Sequence, residues 1–450
     1  MSVIGLVLLA VARTYMTIAK PSSEALQANA EYSAFPYDGF VAEGAVGVHD
    51  PAVTEFKGAY LCFHTGPGLG MLRTSKDLLH WKTEGPIIPD TPEWLSKAVR
   101  HNSVWAPEAS KWGDGLRLFY CASARFGHNE SWIAVAECPH FDPDHPKQGW
   151  RDLGPILAST DSDNFNAIDP DVLTDSSGRL WMYFGSYWSG LYVTELDPET
   201  AKIKDPSPSG RTLIARNPAD RANGLEAPCC VYHDGYYYLF LNYGLAAQGV
   251  ASTYRIVVGR SKTPNGPFLD ANGVSMTEGG HMEVLSASSP MFGPGGGVEF
   301  QDHHGRWLMS YHYYDARRFW HDHTWGVPTL QVRELLWTAD GWPLPGLPIT
   351  PETSRLKLQN KGKLAGHWQQ QAGFGQVNPL EIHPNGTCSL PGQVGTWSQM
   401  GETLEFHWPK LDSPAEFWVD SVQLADGGNY FVGRNQSGMV VRGIRREKSE

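Results

Sequence analysis

The chain reads as an all-β protein: a five-bladed β-propeller followed by a small C-terminal β-barrel or sandwich. Three observations predict this. Gly 48 and Pro 32 among 450 residues are too many breakers for long helical bundles, while 41% hydrophobic and 19% charged residues make a chain too apolar for disorder. A turn containing Pro or Gly, then a glycine, then a strand dense in aromatics, recurs five times. Between the copies lie further segments such as LYVTELDPETAKI and RIVVGRSKTPNGPF, where alternating apolar residues are punctuated by Asp-Pro, Asn-Gly and Gly-Pro turns.

The copies are HDPAV before GAYLCFHT, WAPEAS before GLRLFYCAS, IDPDV before GRLWMYFGS, LEAPCCV before GYYYLFLNYG, and GPGGGV before GRWLMSYHYY. Their glycines, Gly58, Gly115, Gly178, Gly235 and Gly305, stand 57 to 70 residues apart, room for four short strands and their turns. One sheet per repeat is a propeller; a β-helix has a much shorter repeat. The propeller is assigned to residues 44–347. A Pro-rich stretch runs through Pro351, then a basic linker carries Lys357, Lys361 and Lys363, and the second β domain occupies residues 360–446. Residues 1–30 form an N-terminal segment. Its opening run, MSVIGLVLLAVA, is far short of the ~20 apolar residues a membrane helix needs. It reads as an export signal with a small-x-small pattern at Ala10-Val11-Ala12, so the protein is expected to be secreted and not membrane-bound, although no basic residue precedes the run.

A net charge of -12 argues against nucleic-acid partners, whose affinity draws on a basic surface. Six cysteines with no paired C-x-x-C units make neither a disulfide framework nor a zinc site, and adjacent Cys229 and Cys230 are expected on opposite faces of one strand. Sequons stand at Asn129, Asn385 and Asn435, meaningful only in a eukaryotic secretory host. The 12% aromatic content suits sugar rings, whose apolar faces and polar edges match indole and phenol; filling of sheet cores explains any single ring equally well.

In a propeller the innermost strands line the central channel, so side chains at the start of successive repeats converge. Asp50, Asp169 and Glu226 stand there in repeats one, three and four. Repeat two offers Glu108 after its proline, and repeat five only glycines. Three carboxylates in one cleft suit glycoside hydrolysis, where one protonates the leaving oxygen and another, ionised, activates water or attacks. A single Asp-Pro is ordinary turn chemistry; recurrence at equivalent positions points to a site.

HDPAV, FNAIDPDV with GSYW downstream, GLEAPCCVYHDGYYYLF, GVASTYRIVVGRS and SYHYYD resemble glycoside hydrolase family 43, most closely its endo-1,5-α-L-arabinanases, from about Val48 to Gly341, and the tail is similar to the β-barrel some extracellular members carry. The resemblance implies a five-bladed propeller that cleaves internal α-1,5 bonds of arabinan, as in pectin side chains, with inversion and as a monomer. It implies Asp50 as general base, Glu226 as general acid and Asp169 as the carboxylate that tunes and orients the acid. Asn166, Ala167, Ile168 and Asp169, with Ser186, Tyr187, Trp188 and Gly127, would line the sugar subsites, and Trp105 would be a stacking platform or a core residue. His312 would hold a calcium ion through a largely aqueous shell, one imidazole being an unusual calcium ligand. The histidine-rich run with His303, His304, His312, His321 and His323 lacks His-Glu-x-x-His, which weakens a zinc reading. The chain departs from the family where relatives often have a histidine, here Gly296, and at Gly244-Leu245-Ala246-Ala247, where relatives often have Gly-Ser-Cys-Cys. Alternatives on the same fold are an exo-arabinanase, an α-L-arabinofuranosidase, a β-xylosidase, or a non-catalytic carbohydrate-binding propeller, which should lack a carboxylate of the three.

Overall fold

The computed structural model describes residues 35–99, 103–319, 325–353, 364–401, 403–410 and 416–446. The apolar run at 1–12, the three linker lysines, His321 and His323 lie outside the described residues. Each repeat folds as four antiparallel strands. Blade one is His49–Phe56, Ala59–Pro67, Leu69–Ser75 and His80–Ile88; blade two is Ser103–Trp112, Gly115–Ser123, Ser131–Cys138 and Arg151–Ser159. Blade three runs from Asp171–Thr174 to Arg211–Ala215 and blade four from Leu225–His233 to Met282–Leu285. In blade five the innermost strand is broken into Met291–Gly295 and Glu299–Gln301, and the Pro-rich Pro343–Pro348 forms the outermost strand, an edge position where missing N–H donors cost little. Pairing of Gly66 with Val104 joins blades one and two into one sheet.

The ring closes through the N-terminal side of blade one. Leu330 N–H donates to Val46 O at 2.8 Å and Val48 N–H to Pro328 O at 3.3 Å, so residues 46–48 lie along the third strand of blade five. The turn glycines sit where expected with one correction. Gly58, Gly178, Gly235 and Gly305 have φ between 76° and 82°, but blade two turns on Gly113 (φ 58°). Gly115 instead opens the next strand, where a Cβ would lie 1.9 Å from Cys138 O. Cys229 and Cys230 enter different apolar clusters, as alternation along one strand requires, and all six cysteines are free and buried. Of the three sequons only Asn385 is exposed; the Asn129 amide donates to Asp163 O and Phe165 O, and Asn435 is buried.

Eight strands from Gly366–Ala372 to Val440–Arg446 close into a barrel, which decides between the two expected forms of the second domain. Its interior packs Trp368, Phe406, Trp408 and Phe431. The outer face is not solvated throughout: Phe374, Val377, Tyr430, Val432, Val440 and Ile444 join one apolar cluster with Tyr238, Tyr311 and Trp342 of blades four and five. The barrel is therefore fused to the propeller through a continuous core, and Arg445 and Arg446 belong to its last strand.

Candidate active site

The channel is built by one backbone device repeated around the ring. Asp50, Ala106, Asp169 and Ala227 each precede a proline and each has a left-handed φ, of 52°, 36°, 53° and 50°; Gly296, at φ 62°, takes the place in blade five. Left-handed backbone at a non-glycine residue costs of order 1–3 kcal/mol and persists only where surroundings enforce it. Strand pairing slips by a residue at this point, between His49 and Ala52, Trp105 and Glu108, and Glu226 and Cys229, which turns the intervening side chains toward the axis. A narrow cavity of about 30 Å³ on the axis is lined by this ring and by the residues after each proline.

The device corrects one expectation. Asp50 and Asp169 are true equivalents, but Glu226 stands one residue earlier, at the position of His49, Trp105 and Ile168, because Ala227 occupies the pre-proline place. Glu226 therefore approaches from the neighbouring strand position. Its Oε2 accepts the Ser186 hydroxyl at 2.6 Å, and Tyr254 donates its hydroxyl to Oε1. Ala227 N–H donates to Asp169 Oδ2 at 3.2 Å, tying the two carboxylates together.

The three carboxylates lie in opposed electrostatic settings. Burial works to raise Asp50, but the His49 imidazole 2.8 Å from Oδ1, His312, and the Thr65 hydroxyl at 2.6 Å outweigh it and hold Asp50 at about 2. Glu226 is pushed up to about 7 by burial and the charge of Asp50, against the Ser186 hydrogen bond and His49. Burial, Glu226 and Asp50 raise Asp169 well above the carboxylate range. Near neutral pH the channel thus presents one ionised carboxylate and a proton on the facing pair.

Asn166, Ala167 and Ile168 are buried in the approach to Asp169. Asn166 Oδ1 has no hydrogen-bond partner among the described residues, whereas Ala167 and Ile168 pack in the core of blades two and three. Ser186 bridges to Glu226, and Tyr187 and Trp188 follow in left-handed conformation, held by Asn223, whose amide donates to Trp188 O at 3.0 Å. Trp105 is partly buried against the blade-two core and its ring meets exposed Phe126 edge-on at 6.3 Å, so core packing and ring presentation coexist there. Gly127 sits next to Phe126 in that exposed loop. Thr65, Tyr254 and Phe126 escaped the sequence reading; Tyr254 lay within GVASTYRIVVGRS, but nothing marked Thr65 or Phe126.

His49, Asp50 and His312 bring ligand atoms within 4.8 Å of one another. His312 is fully buried, its Nδ1 accepts Asp50 N–H at 3.2 Å, and its Nε2 has no partner among the described residues. Burial and nearby His49 lower it well below the usual histidine range, so it is a neutral imidazole. A Cβ at Gly296 would stand 2.6 Å from Asp50 Oδ1 and 2.8 Å from His312 Cε1, so a second imidazole from that position has no room. Below the ring lies a second acidic layer in which Glu108, the carboxylate that repeat two offered after its proline, is joined by Asp171 and Glu299, all raised by burial, with Asp171 at about 7. Blade five thus carries a channel-side carboxylate after its glycines. His303 and His304 are exposed in a turn.

Comparison with known proteins follows this geometry. Residues 45–343 match the sequence profile of glycosyl hydrolases family 43. The extracellular endo-α-(1→5)-L-arabinanase 1 of Bacillus subtilis is 36% identical over 302 residues, 66% of this chain and 87% of that protein. The extracellular exo-α-(1→5)-L-arabinofuranosidase ArbA of Cellvibrio japonicus is 31% identical, over 66% and 86%. A solved family 43 endo-arabinanase from Bacillus licheniformis superposes with a TM-score of 0.60 at 34% identity, covering 68% of this chain and 99% of that one. An arabinanase structure from Thermotoga petrophila covers 91% of this chain and 100% of its own with a TM-score of 0.74; at 23% identity it shows the shared fold, barrel included.

Proposed function

The chain belongs to glycosyl hydrolases family 43 and is a glycoside hydrolase, and from that premise we propose that it cleaves internal α-1,5 bonds of arabinan outside the cell, with inversion. The observation that carries the mechanism is the split between Asp50, held ionised at about 2, and Glu226, held at about 7, in one channel. In this reading Glu226 gives its proton to the leaving glycosidic oxygen, while Asp50 takes a proton from the water attacking the opposite face of the sugar. The bond from C1 to the leaving oxygen breaks as the bond from water to C1 forms, and the anomeric configuration inverts. Asp169, hydrogen-bonded to Ala227 N–H, orients Glu226 and keeps its proton in place. Tyr187, Trp188 and Trp105 flank the approach with rings for the furanose units.

Calcium belongs to the same proposal. Partnerless His312 Nε2 in an acid-lined channel fits one imidazole ligand to a hydrated ion in the tautomer protonated at Nδ1, which gives up the hydrogen bond from Asp50 N–H. When bound, the ion would supply positive charge that favours ionised Asp50.

Debranched arabinan and arabinoxylan, incubated with the enzyme and the early products sized, test the substrate and mode. Mixed arabino-oligosaccharides are expected; arabinose alone would mean exo action, for which relatives are also named, and release from arabinoxylan alone would overturn the arabinan assignment.

A further inference from the structure

One mouth of the C-terminal barrel holds a cavity of about 270 Å³, room for a single sugar ring and little more. Its lining is unlike the rest of the barrel interior. Seven of the eight strands contribute, and register partners on neighbouring strands stand side by side along its wall: Gln370 with Asn378, Trp408 with Trp418, and Asp420 with Asn435. The other half of the interior is packed by Trp368, Phe406 and Phe431. A closed eight-stranded barrel has space for side chains or for one small ligand, and barrel mouths are a usual place for such sites.

The polar groups in this mouth include two buried acceptors. Asp420, 4% exposed, receives the Trp408 indole N–H at 2.9 Å and the Gln370 amide N–H at 3.2 Å on the same oxygen, Oδ2. That arrangement turns Gln370 Oε1 away. Gln370 is 3% exposed, and its Oε1 has no hydrogen-bond partner among the described residues. An unmet buried acceptor is costly, and an apolar residue at that barrel position would avoid the cost. Gln370 Oε1 is short of a donor, and a hydroxyl group would supply one. The Trp418 ring, half-buried at the rim, adds a flat apolar face. Among the described residues no Lys or Arg lines the cavity, which disfavours phosphates and uronic acids.

We propose that this mouth binds one neutral saccharide unit, with Trp418 against the ring face and Gln370 Oε1 and Asp420 accepting its hydroxyls. The neutral saccharide class stands on the barrel alone; the choice of an arabinan chain end rests on the reading given above. Such a site would hold polymer near the propeller without touching the channel.

Titration calorimetry on the full chain carrying Glu226→Gln, with arabinotriose and separately xylotriose, tests it. Two binding events are expected for arabinotriose. Adding Trp418→Ala should weaken one of them roughly tenfold, the size of a lost aromatic anchor, and Trp418→Phe should restore much of it. In the otherwise wild-type enzyme, Trp418→Ala should leave the turnover of a short chromogenic arabinoside and the melting temperature unchanged while raising KM on polymer. If Trp418→Ala alters neither triose's binding nor the polymer KM, the proposal is overturned. A single event sensitive to Trp418 would support the barrel site while counting against substrate binding in the propeller, so the two readings fail separately.

Discussion

Two of the places where this molecule buries charge treat it in opposite ways. In the channel, Asp50, Asp169 and Glu226 converge with only His49 as a close cationic partner. At the seam between propeller and barrel, Asp38 is fully buried and met by two guanidinium groups: Arg333 of blade five donates at 2.8 Å and Arg442 of the barrel at 3.0 Å. Burial would raise Asp38, yet Arg442 and Arg333 hold it below the usual range. Their remaining donors are met as well, Arg333 by Tyr311 Oη and Gly346 O, Arg442 by Gln371 Oε1. At the seam the buried charge is neutralised and hydrogen-bonded; in the channel it is left short of countercharge, so that protons can move.

The sharpest way to break this contrast is to remove the one carboxylate the channel keeps ionised. Asp50→Asn should lower turnover by about 10²–10⁴-fold on polymer and on activated aryl substrates alike, since water attack needs a base whatever the leaving group. Circular dichroism and melting should stay close to wild type, and added azide should recover part of the rate. Near-normal turnover would remove Asp50 from the mechanism.

Glu226→Gln should cost polymer turnover a similar factor, about 10²–10⁴, but spare binding and be partly rescued by a substrate with a very good leaving group. Equal loss on both substrates would mean that Glu226 is not the acid. A pH profile of kcat/KM sharpens the point. Glu226 works protonated, so activity should fall as pH rises through about 7, and the ionised base should hold it steady down toward about 2 until the fold itself gives way. The seam behaves in the opposite sense: lowered Asp38 lends stability that is present above the ordinary aspartate range and lost only as pH falls through its depressed value.

Much of the channel was legible because its device is local. Asp-Pro in HDPAV and IDPDV and Ala-Pro in LEAPCCV mark the left-handed turns directly, and repetition fixed their convergence. The one-residue offset of Glu226 stands in LEAPCCV itself, where Ala227 separates the glutamate from its proline; what was not legible is the slip in strand pairing that sets its approach, which only the assembled sheet shows. The seam was invisible for a different reason. Asp38 lies 295 positions from Arg333 and 404 from Arg442, and no local pattern distinguishes those three from surface charges. Gln370 and Asp420 are hidden the same way, by a barrel closure that pairs distant strands.

Breaking the seam should affect stability and spare chemistry. Asp38→Ala leaves two buried guanidinium groups facing each other, and removing one partner of a buried pair costs about 3–5 kcal/mol. Urea unfolding should show an earlier midpoint, with activity per folded molecule retained at low denaturant. Unchanged stability would mean that the apolar cluster around Tyr430 and Trp342 holds the barrel by itself.

The smallest effect expected concerns calcium, and it tests whether the channel's shortage of positive charge is made good by an ion. His312→Ala or a chelator should lower turnover severalfold, less than loss of either catalytic carboxylate, because His49 and Thr65 still favour ionised Asp50 without the ion. Chelated wild type should recover with calcium and not with zinc, since water and oxygen ligands suit the former. Gly296 offers no second ligand, and the space its missing side chain would need is taken by Asp50 and His312, so binding should rest on one imidazole and be readily reversed. Elemental analysis of active protein and melting with and without chelator supply readouts apart from rate. Absence of stoichiometric calcium, with rate and melting temperature indifferent to chelation, would return His312 to a packing role beneath Asp50 and leave the channel's charge balance to His49 alone.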